Sequence, residues 1–212
     1  MAHMDESRGL RQACGQACGH YDPHDKELYM RAHRRFLGHP PDTRSTGDHL
    51  PLAQVTFTSG SLRTLHEQLY VPGRLRSGLL FGEQTGDTLH VHLATPPLYP
   101  HWHADPVQAL LQPDERYALG WSDCVSAVHG PHVDWTGSWL AYPSSELGEL
   151  QADLGWVDLM AAHGLVDAQH VLLTVGWDEG VFAARGFTQD HHRHWQELMC
   201  HTAPQKPPMN RN

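Results

Sequence analysis

The chain is predicted to adopt an α/β fold: a mixed, largely antiparallel sheet flanked by helices. Three observations predict it. Short segments such as AQVTFTS and TLHVHLAT alternate apolar and polar residues as half-buried strands do. Helical patterns interrupt those strands, and the last part of the core reads strand, helix, strand, strand, an order that suits packed α/β layers. No period of 20 to 50 residues repeats, which excludes a solenoid.

Taken in order, residues 1–50 are polar and rich in Gly, Pro, Asp and His, with one helix predicted in DPHDKELYMRAHRRFL. Asp22 or Asp25 could cap it, and its acidic residues come early and its basic ones late, as the helix dipole favours. This stretch reads as an appendage. The main domain, 51–190, begins with the strand AQVTFTS and a helix in SGSLRTLHEQLYV, where Leu62, Leu65 and Leu69 share a face. Pro72 and Gly73 end that helix. SGLLFGEQ and TLHVHLAT, joined at Thr85-Gly86-Asp87, form a hairpin.

DPVQALL and DERYALGWSDCVSAV read as helices, the first opened by Asp105 and Pro106 and the second by Asp114. VDWTGSWLAYP is a strand, and the following helix starts at Ser144 or Ser145 and stops at Gly164. QHVLLTVGW and VFAARGF, separated by Asp178-Glu179-Gly180, complete the core. Residues 191–212 are predicted as a helical turn in DHHRHWQELM followed by a disordered, proline-rich tail.

The 212 residues, 40% of them apolar, suffice for one domain with a core. A formal net charge of −9 gives no phosphate-tracking surface, so nucleic acid is not an expected partner. No apolar run of about 18 residues is present, and the N-terminus lacks an export pattern. No membrane partner is expected. Four scattered cysteines fit a reducing compartment, so the expectation is a soluble, cytoplasmic protein. The 19 histidines invite a metal or pH-sensing role, though imidazole also serves as an ordinary surface group.

Four segments carry a further pattern: VTFTSGSLRTLHEQLYVPG, SGLLFGEQTGDTLHVHLATPP, GSWLAYPSSELGELQAD and HVLLTVGWDEGVFAARGF. In this order they resemble the JAB1/MPN/Mov34 family, which includes the JAMM metallo-isopeptidases and metal-free relatives. The resemblance spans 54–188 and includes a Gly-x-Leu-x-Gly strand at Gly78, Leu80 and Gly82. It implies an MPN-like, cytidine-deaminase-like form of the α/β fold. The family's signature is His-x-His-Pro followed by a Ser and an Asp, with a Glu upstream.

With Gly137, Trp139 and Pro143 fixing the register, the two His positions fall on Leu140 and Tyr142. The Ser falls on Leu150, the Asp on Asp153 and the Glu on Leu75. Only Asp153 keeps the family's residue type. A hydrolytic zinc needs about three N, O or S ligands and an open position for water. Leu has no lone pair and a protonated Tyr is a weak ligand, so the pocket reads as refilled with hydrocarbon. Burying Leu75, Leu140 and Leu150 would contribute roughly 1.5–3 kcal/mol for each fully buried side chain. The resemblance therefore implies a non-catalytic binding or scaffold protein without a cofactor, pairing with itself or another protein.

The alternative is a zinc-dependent isopeptidase or peptidase of JAMM type with relocated ligands, Asp153 joined by His90, His92, His101 or His103. It would act beside a ubiquitin-like protein's tail. His90 and His92 alternate on a strand and so share a face; an exposed strand face is the plainer reading. Cys14, Cys18, His20 and His24 in ACGQACGHYDPH could form a structural zinc clip. Their spacing is too short for an ordinary finger, and cysteines at i and i+4 equally share a helix face. Cys124 has His129 and His132 nearby, but His129, five residues on along a helix, lies off the sulfur's face. No nucleophile elbow, phosphate loop or dinucleotide fingerprint is present.

Overall fold

The computed structural model describes residues 31–36, 50–97, 105–190, 192 and 194–202. Seven strands close into a barrel: β1 (Gln54–Phe57), β2 (Arg76–Thr85), β3 (Thr88–Ala94), β4 (Asp134–Glu146), β5 (Val171–Asp178), β6 (Val181–Gln189) and β7 (Trp195–His201). Their order around the barrel is β1-β3-β2-β4-β5-β6-β7, with β7 pairing back onto β1. The pairs β1·β3, β1·β7 and β4·β5 are parallel and the other four antiparallel. Five helices occur among the described residues: α1 (Arg31–Phe36), α2 (Ser59–Gln68), α3 (Pro106–Leu111), α4 (Glu115–His129) and α5 (Leu150–Ala162). None of them is long and apolar enough to cross a membrane.

The barrel corrects the predicted fold. The expected α/β arrangement, an MPN-like, cytidine-deaminase-like sheet flanked by helices, is replaced by a closed, mixed seven-stranded barrel with few helices. Closure depends on β7, which falls where a helical turn was predicted. Leu198 is buried and Cys200 half-buried, while Met199 between them is 64% exposed, so these three residues alternate as neighbours in a strand do. Pairing with β6 on one side and β1 on the other satisfies its backbone and leaves the sheet without an open edge.

Central strands are buried on both faces, which explains their nearly continuous apolar runs. Leu79, Phe81, Trp135, Leu140, Leu172 and Phe187 pack beneath α1, α3, α4 and α5, with Ala32, Leu110, Val125, Val157 and Met160 in the same cluster. Leu80, Trp139, Ala141, Leu173 and Val175 turn the other way and join Leu65 of α2 and Leu69 just past its end. Adjacent residues of one strand thus feed two clusters.

Local chemistry fixes several boundaries. Thr58 caps α2 through Ser61 N at 3.2 Å, Asp105 caps α3 with Pro106 at its first position, and Asp114 caps α4 through Tyr117 N. The start predicted for α5 at Ser144 or Ser145 is corrected: both belong to β4, and the helix begins at Leu150. Ser145 Oγ instead accepts a hydrogen bond from the buried Arg76 at 3.0 Å. Glu179 and Gly180 both have positive φ, the pattern of a tight hairpin turn, between β5 and β6.

Candidate functional site

β4, α5, β5 and β6 each bring one polar side chain to a common point. Asp153, in the first turn of α5, is fully buried. Tyr142 of β4 donates its hydroxyl to Asp153 Oδ1 at 2.7 Å. Thr174 of β5 donates to Oδ2 at 3.1 Å, and Arg185 Nη2 of β6 lies 3.2 Å from the same oxygen. Arg185 Nη2 also donates to the Gly148 carbonyl. Both carboxylate oxygens therefore face protein donors, which a buried charge requires.

Burial, followed by the hydrogen bond to Asp153 and its negative charge, pushes the Tyr142 phenol well above its ordinary range; Arg185 opposes this only in part. The ring remains a neutral donor. A side chain at Gly148 would collide with that ring, its Cβ falling 2.3 Å from Tyr142 Cε2, so the glycine lets the β4–α5 connection close over the cluster. Arg76 buttresses the same turn. Its guanidinium donates to the carbonyls of Gln68, Val71 and Tyr142, tying the end of α2 to the end of β4. Burial and then the charge of Arg74 lower its pKa.

Of the positions singled out in the sequence, Tyr142 and Asp153 are in direct contact. Leu140 is fully buried in the helix-covered cluster, against which Leu75 packs with partial exposure. Leu150 is corrected: it is 40% exposed at the start of α5 and contributes no core. The first residue of this helix faces outward while Asp153, three residues on, faces inward.

Thr174 and Arg185 escaped the sequence reading. Their signal was present, since Thr174 is the single polar residue in VLLTVGW and Arg185 the single charge in VFAARGF. A polar group inside a buried strand needs a partner, and here each finds Asp153.

His90 and His92 do not join this cluster. His90 Nδ1 lies 2.7 Å from Thr56 Oγ1, whereas His92 Nε2 lies 3.2 Å from Glu83 Oε1. His132 approaches the other oxygen of Glu83 at 3.7 Å, and the His92 and His129 rings meet edge to face at 5.8 Å. Cys14, Cys18, His20, His24, His101 and His103 lie outside the described residues. Among those described, no three His, Cys, Asp or Glu side chains are grouped to hold a metal ion. Cys124 is exposed, while burial pushes the Cys200 thiol up to about 12.

Fold and site together define a closed, mixed β-barrel protein with an Asp-Tyr-Thr-Arg cluster around the fully buried Asp153 where β4, α5, β5 and β6 meet. No family model and no curated protein matches the chain. Among solved structures, it is similar to the solution structure of protein DSY2949 from Desulfitobacterium hafniense, at 15% identity and a TM-score of 0.47. That similarity covers 70% of this chain and 92% of the other. It is too distant to bear on function.

Proposed function

We propose that the protein is a non-catalytic binding or scaffold protein, acting through protein partners or a second copy of itself. The observation that carries this reading is the sealed Asp153 carboxylate. A zinc of the JAMM type would need about three ligands and an open position. The residues present do not fit one. Leu140 and Tyr142 stand at the two imidazole positions, and the remaining carboxylate is occupied by Tyr142, Thr174 and Arg185. Tyr142 and Asp153 are joined by a hydrogen bond at 2.7 Å. That bond occupies the carboxylate oxygen a metal would otherwise need.

The test is elemental analysis of the full chain purified without chelators, run alongside Asp153→Ala and Cys14→Ala. The expected result is that Asp153→Ala leaves the zinc content unchanged. Stoichiometric zinc lost with Asp153→Ala but kept in Cys14→Ala would overturn the proposal in favour of a zinc peptidase.

A further inference from the structure

At one end of the barrel, four rings lie against one another on the outside. His66 of α2 meets Tyr70 at 5.1 Å, Trp177 of β5 at 5.0 Å and Phe182 of β6 at 5.9 Å, and Tyr70 meets Trp177 at 5.6 Å. Most of these contacts are edge to face, the arrangement that ring quadrupoles favour. Tyr70 is 66% exposed and Val181, beside Phe182, 68%. Aromatic rings clustered on a surface mark a binding face and suit extended, proline-containing segments. The exposed hairpin tip Asp178-Glu179 adds negative charge next to Trp177.

The topology indicates an occupant. β7 runs parallel to β1 and antiparallel to β6, and β5 is antiparallel to β6, so β7 ends at the same rim as β5. Cys200 packs in one cluster with Trp177 and Phe182. The chain therefore leaves β7 at the edge of the aromatic face. Its next segment, 203–212 (APQKPPMNRN), carries three prolines, Lys206 and Arg211, and no acidic side chain. Ten residues reach about 30 Å when extended, ample to cross four rings. Its charge is complementary to Asp178 and Glu179, and the short tether gives it a high effective concentration there. We propose that residues 203–212 dock on the face formed by His66, Tyr70, Trp177 and Phe182.

Met209 supplies the probe. In the full chain labelled with [13C-methyl]methionine, and with its signal assigned by Met209→Leu, the Met209 methyl is expected upfield of the free-methionine position because it sits near ring faces. The shift should be independent of protein concentration and fall in Tyr70→Ala, while the buried Met160 methyl reports an intact fold. Lys206→Glu and Glu179→Lys should each reduce it, and the two together should restore it. A Met209 methyl at the free position, or one unmoved by Tyr70→Ala, overturns the proposal. So does a charge swap without restoration. A shift lost on dilution would assign the face to the segment of a second copy and equally overturn docking within one chain.

Discussion

Asp153 shows how a single buried charge organises its neighbours. Its three partners come from three different strands, so each interaction ties α5 to the barrel at a separate point. Removing a partner leaves the carboxylate buried and under-compensated, which costs more than the lost contact alone. Tyr142→Phe is expected to cost about 1–3 kcal/mol, the penalty for an unsatisfied buried acceptor. Arg185→Met should cost more, about 3–5 kcal/mol, because it strips the balancing charge. Urea unfolding of the two variants checks the order. If Arg185→Met proved the milder change, the guanidinium would not be the counter-charge argued here.

Glycines of the Gly-x-Leu-x-Gly element show what was legible in the sequence and what was not. SGLLFGEQ reads as a strand from its apolar run, and β2 is one. The glycines themselves have packing causes that one strand cannot reveal. At Gly78 a Cβ would fall 2.4 Å from Trp139 Nε1, and at Gly82 it would fall 2.2 Å from the His90 carbonyl oxygen, beside the β2–β3 register shift. Caps and hairpin turns were likewise readable, because Asp105, Asp114 and Glu179-Gly180 act within a few residues of themselves. In the candidate site, Tyr142 and Asp153 were legible through spacing along one segment; Thr174 and Arg185 were not, because their meeting with Asp153 depends on strand order. Gly82→Ala is expected to destabilise more than Gly78→Ala, since Gly82 faces the backbone of a paired strand whereas Gly78 faces the side chains of Trp139 and Thr95. The expected losses are above about 3 kcal/mol and about 1–3 kcal/mol, respectively. Thermal or urea unfolding of the pair decides it, and equal losses would mean that β3 yields as readily as an indole.

Closure is the property of the whole molecule that local pattern could not supply. β1 and β7 pair across almost the entire domain, Gln54 with Met199 and Thr56 with His201, and neither strand's residues name the other. DHHRHWQELM offered enough helix formers to suggest a turn of helix, but tertiary pairing overrode that preference. The seam is also the short side of the barrel. β1 has four residues and three paired positions with β7, whereas β2 and β4 share seven. Stability is not uniform across a fold, and segments with few pairings and more exposure open first. Native-state hydrogen exchange should therefore show weaker protection in β1 and β7 than in β2, β4 and β5. Met199→Pro sharpens the test, because it removes the amide that donates to Ala53 O at 3.0 Å and places a ring in the seam. Exchange should accelerate in β1 and β7 while the doubly buried strands keep their protection. If all seven strands instead exchange at one common rate in both proteins, the barrel opens only as a unit and the seam is no weaker than the rest.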